Sequence, residues 1–264
     1  MRFDVITLFP ELFAPFLTSG INRRAFETGA VELKLWQLRD FADGAYRRVD
    51  DRPFGGGPGM VMLAEPLEKC LVAIRQDRSL KNHSEKLVPV VLFSPIGQPL
   101  NHAGVEEWSQ SLGAILICGR YEGLDQRFVH AHVDVQVSLG DFVLSGGEIA
   151  AIALLDAVAR LQPGVLNDEG SHQMDSFNPA LDGLLDCGHY TRPEIWNEVS
   201  VPPVLLSGHH ADIGKWRREQ SLVLSQKYRP DLIVAARAAG KLSPKDEHFL
   251  ANIFVSVQPE SKPD

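Results

Sequence analysis

Short apolar runs rich in β-branched residues recur along the first two-thirds of the chain, at residues 3–8, 31–38, 88–93, 114–118 and 133–139. Each ends in Gly, Pro, Asp or Ser, the punctuation expected of strands. Helical patterns lie between several of them, so the alternation predicts a sheet with crossover helices, an α/β domain over 1–165. One helix is well marked. Ser145-Gly-Gly-Glu148 has the spacing of a capping box, the following IAAIALLDAVAR carries an apolar face to Arg160, and Pro163-Gly164 stops it. Asp156 and Arg160, four residues apart, are spaced to pair on its surface.

The pattern then changes. Residues 166–176 contain the polar, aperiodic stretch NDEGSHQMD and read as a flexible linker. Beyond it the periodicity is mainly helical. The expected helices span 210–228 with a stop at Pro230, 231–239 ended by Gly240, and 243–257 opened by Ser-Pro-Lys-Asp. A smaller helical domain is therefore expected over 177–257, followed by a disordered tail at 258–264.

Composition narrows the class. A chain of 264 residues, 44% of them hydrophobic, can bury a full core. It has no apolar run long enough to span a bilayer. The opening MRFDVITLFPELF alternates like a strand and lacks a small-residue cleavage site, which argues against a signal peptide. Cys70, Cys118 and Cys187 lie far apart without a CxxC, which fits a reducing cytoplasm and argues against structural zinc. The net charge of −8 supplies no overall basic field for nucleic acid, although local phosphate contacts can still act within an acidic protein.

Candidate chemistry sits in the loops. CGRYEG at 118–123 and LGDFVLSGGE at 139–148 each end an apolar run with glycines, the form of a strand delivering backbone to a ligand. RPFGGGPGM at 52–60 is richer still in glycine, but it lacks the Lys-Ser/Thr of a P-loop. No GxGxxG opens a helix after a strand, which disfavours a dinucleotide fold. The 52–60 stretch is either a flexible surface loop or, preferably, one that closes over a ligand. Glu122 stands just past a strand end, where open sheets place ligand contacts. His130 and His132 are expected on one strand face and His209-His210 near a turn, and neither pair comes with the third ligand of a metal site. Cys118 reads as a small core residue. On composition alone, Asp175 is a solvated turn residue. Lys215, Arg217 and Arg218 surround Trp216 on one predicted helix. That arrangement suits phosphate contact and base stacking, or equally a solvated face with Trp216 turned inward.

Taken together, these segments resemble the bacterial tRNA (guanine-N1)-methyltransferase family. The motifs run in order along nearly the whole chain: FDVITLFPELF, RPFGGGPGMVM, LFSPIGQPL, CGRYEGLDQR, VSLGDFVLSGGE, DAVARLQPGVL, DSF with GLLDCGHYTRPE, and VPPVLLSGHHADIGKWRREQSL. The resemblance implies an α/β fold of the SPOUT superfamily: a trefoil-knot methyltransferase domain with a mostly parallel sheet and flanking helices, plus the small helical carboxyl domain. It implies a homodimer with active sites at the interface, acting in the cytoplasm on the anticodon stem-loop of tRNA. The methyl donor would be S-adenosyl-L-methionine, and the target N1 of guanosine 37.

Carried onto this sequence, the family's cofactor contacts are Leu92, Ser94 and Pro95, then Gly119, Tyr121, Glu122 and Gly123, then Ser138, Leu139, Gly140, Leu144, Gly146 and Gly147. The general base matches Asp175 and the catalytic arginine Arg160, while Lys215, Arg217 and Arg218 would grip tRNA phosphates. The chemistry fits. Guanine N1 carries a proton at neutral pH, so a carboxylate must remove it, and Asp175 would do so best from a desolvated setting. Arg160 would face the charge building on O6. A magnesium requirement is also implied, without a dedicated protein site; Glu122 or Asp175 with substrate oxygens would suffice.

The chain departs from the family where Phe142 replaces an aromatic with a hydroxyl, Met174 an acidic residue, and Gly188 a proline. The first loses a hydrogen bond near the cofactor and the others alter the linker. A SPOUT enzyme acting on another RNA position is disfavoured because it lacks this carboxyl-domain motif set. A non-catalytic RNA-binding module is disfavoured by the joint presence of Glu122, Arg160 and Asp175.

Overall fold

In the computed structural model, which describes residues 1–80, 88–166 and 171–256, each predicted apolar run contributes a strand. The chain divides into two compact units, Met1–Glu169 and Gly170–Asp264.

The first unit runs β1 (Arg2–Thr7), α1 (Ala14–Thr18), α2 (Gly20–Glu27), β2 (Glu32–Gln37), β3 (Asp50–Asp51), β4 (Val61–Met62) and α3 (Ala64–Leu80). It continues with β5 (Val90–Pro99), α4 (His102–Ser109), β6 (Gly113–Ile117), α5 (Gln126–His132), β7 (Val135–Ser138) and α6 (Glu148–Ala159). A five-stranded sheet has the order β2-β1-β6-β5-β7, and every pairing in it is parallel. Parallel sheets are stable when helices cover both faces, and alternation along each strand divides the core accordingly. Phe3, Val5, Ala114 and Leu116 pack with α6 residues such as Leu154, Leu155 and Val158. Ile6, Ile115 and Ile117 face the other way, against Leu67, Leu71 and Ile74 of α3. Each fully buried Leu or Ile contributes roughly 2 kcal/mol.

Two local expectations change. His130 and His132 do not lie on a strand. The Asp125 side chain accepts from Arg127 N at 2.9 Å and starts α5, which carries both histidines. His132 stacks on Phe128 with ring centroids 4.9 Å apart. Nor does Ser145 close a capping box. The helix begins after Gly147, without a side-chain cap, because the Glu148 carboxylate turns into the interior. Asp156 on the same helix accepts from Asn22 Nδ2 on α2.

β5 runs past the expected strand end. Phe93 and Gln98 both align with Val137, so residues 94–97 leave the ladder as a bulge beside the carboxyl end of β7.

In the second unit, the hairpin β8 (Ile195–Trp196) and β9 (Val199–Ser200) precedes α7 (Pro203–Leu206), α8 (His210–Tyr228), α9 (Pro230–Ala238) and α10 (Pro244–Ser256). Leu184, Leu222, Ile233, Ala236 and Leu250 form its core. A reciprocal cap opens α10: Ser243 Oγ accepts from Asp246 N at 3.2 Å, and Asp246 Oδ2 accepts from Ser243 N at 2.9 Å. Residues 167–170 of the expected linker and the expected tail at 258–264 lie outside the described residues. Among the described residues, no helix is long and apolar enough to cross a membrane.

Candidate active site

Beyond the carboxyl ends of β5, β6 and β7, three stretches of chain enclose a cavity of about 390 Å³, within the range of small-molecule sites. They are 92–96, 119–124 and the segment from Gln136 to Gly147. Every cofactor residue expected from the sequence, from Leu92 through Gly123 to Gly147, lines this one cavity. Sheet topology accounts for the convergence, since adjacent parallel strands deliver their following loops to the same edge.

Backbone packing sets the walls. Gly147 N donates to Gly119 O at 3.0 Å, stitching the two glycine loops together. A Cβ at Gly147 would stand 2.8 Å from Cys118 Cα, so this approach requires glycine. Cys118 itself is fully buried, and burial first, then the Glu148 carboxylate, pushes its thiol well above the ordinary range. It is a core residue, as read from the sequence.

The 52–60 loop docks against the same wall. Glu122 N donates to Met60 O at 3.0 Å, and Met62 N donates to Gly123 O at 2.9 Å. Gly59 has φ +81°, and a Cβ there would collide with the Glu122 carboxyl group. Tyr121 also has a positive φ, +58°. Burial, followed by the Asp50 carboxylate, raises its phenol above the usual tyrosine value. Among the described residues, Arg120 and Glu122 are the charged members of the lining; the rest is backbone, small hydroxyls, glutamine amides and apolar side chains. A nucleoside bearing a short cationic chain fits such a set. Exposed backbone can meet its polar edges, apolar walls its ring, and Glu122 its positive charge.

The residues expected to act on the substrate lie outside this lining. Arg160 caps the carboxyl end of α6, its N–H donating to Asp156 O at 3.2 Å. Asp175 belongs to the second unit, where its N–H donates to His172 O and its carbonyl accepts from Asn178, each at 3.2 Å. Both side chains are half-buried.

On α8, Lys215 and Arg217 are exposed, whereas Arg218 is engaged. Its guanidinium forks onto Asp246 with both bonds at 3.1 Å and reaches Asp182 at 2.9 Å. Trp216 is half-buried, its ring edge-on to Tyr190 at 6.0 Å. The cationic face and the inward aromatic thus coexist on one helix. Among the described residues, no group of three His, Cys, Asp or Glu side chains is placed to hold a metal ion.

Sequence reasoning missed Thr7, Arg120 and Glu148, which meet behind the cavity wall. The signal is partly present, since Glu148 stands three residues after Ser145. That spacing suggested a cap and gave no pointer to Thr7, 141 positions away.

Comparison with known proteins places this geometry in a family. Residues 1–235 match the family model described as tRNA (Guanine-1)-methyltransferase TrmD. A protein of Polaromonas sp. strain JS666 named tRNA (guanine-N(1)-)-methyltransferase is 70% identical over 261 residues, covering 99% of this chain and 100% of that protein. Proteins of the same name from Paracidovorax citrulli and Bordetella pertussis are 68% and 54% identical, each over 96% of this chain and 98% of its own length. With most of its length matched at such identities, the chain belongs to the tRNA (guanine-1)-methyltransferase family.

Proposed function

We propose that the protein transfers a methyl group from S-adenosyl-L-methionine to N1 of guanosine 37 in tRNA, beside the anticodon. The observation that carries this reading is the gathering of all the family's cofactor positions around one backbone-walled cavity at the sheet's carboxyl edge. When bound there, the donor supplies an electrophilic methyl carbon on a sulfonium.

The chain's residues prepare the acceptor. Asp175 takes the N1 proton of guanine, and the electron pair left on N1 forms the new N–C bond as the C–S bond breaks. Arg160 faces O6, where negative charge accumulates as the proton leaves. Glu122 and the glycine loops fix the donor so that the displacement is in line, and proximity lowers the barrier. A nucleotide flipped from its stack would meet a base carried on a separate segment of chain, and tRNA binding itself would order that encounter. Magnesium, where required, would be held by Glu122 or Asp175 and would supply positive charge toward the substrate.

Two further parts belong to the same reading. A homodimer is supported by the apolar surface beside the cavity: Phe142 is 56% exposed, Val143 87% and Ile149 55%, an arrangement that calls for cover. A trefoil knot is the family's way of building such a site, and the loops after β6 and β7 that would form it here are bonded at Gly119 and Gly147. The exposed Lys215 and Arg217 on α8 would hold the anticodon stem through its phosphates, with Arg218 shaping that surface from within.

The test is incubation with methyl-labelled S-adenosylmethionine and tRNA transcripts bearing guanosine or adenosine at position 37. Label should enter only the first. Equal labelling of both transcripts would overturn the choice of nucleotide, and label in neither would overturn the activity.

A further inference from the structure

Behind the cavity wall lies a polar cluster that takes no part in the chemistry above. Glu148, the first residue of α6, is 1% exposed, and Thr7 at the end of β1 is equally buried. Thr7 Oγ1 donates to Glu148 Oε1 at 2.8 Å and itself accepts from Phe9 N at 2.9 Å. The second carboxylate oxygen, Oε2, lies 2.9 Å from Arg120 Nη2. Arg120 Nη1 in turn donates to Ser145 O at 3.2 Å, and its guanidinium lies 4.4 Å above the Phe9 ring. Arg120 is in the first glycine loop, Ser145 in the second. One carboxylate therefore ties three pieces of chain to a common point: the end of β1, the 119–123 loop and the 140–147 loop.

A buried carboxylate is costly unless it is paired, and here Oε1 accepts from Thr7 while Oε2 is held by the Arg120 ion pair alone, without a hydrogen bond among the described residues. An ordinary capping glutamate would have turned back to the backbone of its own helix. This one points across the sheet edge to the arginine that lines the cavity. Gly146 is part of the arrangement, because a Cβ there would collide with the Arg120 side chain.

We infer that Glu148 is a positioning residue for the methyl donor: through Arg120 and Thr7 it fixes the spacing of the two glycine loops. This rests on the methyl-donor reading of the cavity. Preorganised loops bind more tightly because less ordering is left to occur on binding. Removing the carboxylate charge should therefore act on donor affinity, with little effect on tRNA affinity or on the proton chemistry.

The test compares wild type with Glu148→Gln, which keeps the volume and the acceptor for Thr7 but loses the charge facing Arg120. Titration calorimetry with S-adenosylmethionine should show Kd raised about tenfold or more, because Arg120 loses the buried ion pair that holds its loop. KM for the donor should rise in parallel, while KM for tRNA and kcat at saturating donor stay within about twofold. Arg120→Met should weaken donor binding by a similar factor. The double variant should be no weaker than either single one, because both remove the same link. A folded Glu148→Gln protein with wild-type donor Kd would overturn the inference. So would additive losses in the double variant. If Glu148→Gln does not fold, Arg120→Met alone decides, and unchanged donor affinity in it is contrary. Absence of donor binding by the wild-type protein is a different result, which sinks the proposed function.

Discussion

Replacing Asp175 by Asn keeps the size of the side chain and its backbone setting while removing the proposed acceptor for the guanine N1 proton. Turnover should fall by about 10³-fold or more, with donor binding by calorimetry unchanged, because Asp175 is not part of the cavity lining. Wild-type-like turnover in this variant would remove Asp175 from its role. Gly147→Ala makes the opposite demand. Its Cβ would stand 2.8 Å from Cys118 Cα and 3.1 Å from Gly119 N, both backbone atoms with little room to yield. The loops must part, so donor Kd should rise at least about tenfold while the protein loses about 1–3 kcal/mol of stability by chemical denaturation. At this scale the sequence was legible where glycine marks a close approach, as in CGRYEG and LSGGE. It was not legible where partners are remote. Arg218 reads as a phosphate contact beside Lys215 and Arg217, and nothing local announces Asp182 and Asp246, which hold it and lie far off in sequence. Asp175 was an anonymous turn residue until the ordered motifs around it were taken together.

Among the elements, β1 shows most directly how packing and charge combine. All six of its residues are buried, although its sequence RFDVIT includes Arg2 and Asp4. The two pair with each other at 2.6 Å, Arg2 with Asp77 at 2.7 Å, and Asp4 with Arg78 at 2.6 Å, so that α3 is tied to the sheet by ions as well as by leucines. Lys34 on β2, followed by Arg2, holds the Asp77 carboxyl down at about 2. The native value lies below that of an unfolded aspartate, near 3.9. The pair therefore stabilises the fold above that unfolded value, and its contribution is lost as pH falls through about 2. Asp77 is partly exposed, so Asp77→Asn should cost only about 1 kcal/mol at neutral pH. Urea denaturation should show the difference from wild type vanishing as pH approaches 2. A gap that persists in acid would mean that packing, and no carboxylate charge, is responsible. Strand positions were readable from apolar runs, but two signals misled. Alternate spacing suggested a strand for His130 and His132, where the Asp125 cap winds a helix. The Ser145–Glu148 spacing fits a capping box, yet Thr7 and Arg120 draw the carboxylate inward.

Across the whole molecule, a net charge of −8 has to coexist with a polyanionic substrate. The proposed answer is local: Lys215 and Arg217 are exposed on α8, Lys215 lying 3.8 Å from Glu219. Lys215→Ala and Arg217→Ala should each raise KM for tRNA and lower the slope of log affinity against log salt by about 1. KM for the donor should not move. Arg218→Ala should behave differently, destabilising the second unit by freeing Asp182 and Asp246. Salt slopes unchanged in both exposed-cation variants would place the tRNA surface elsewhere. The broad architecture, an α/β unit followed by a helical one, followed from the change in periodicity near the linker. The convergence of three separated loops on one cavity did not, because sheet order β2-β1-β6-β5-β7 is a property of the folded chain.

The central claim is that the methyl group goes to N1 of guanosine 37. Its most direct test is nuclease digestion and mass spectrometry of a tRNA transcript after reaction with S-adenosylmethionine and the purified protein. The predicted result is a single added methyl on the fragment containing position 37, released by further digestion as 1-methylguanosine. A methyl on any other nucleotide, on a ribose hydroxyl, or on another atom of that guanine would contradict it.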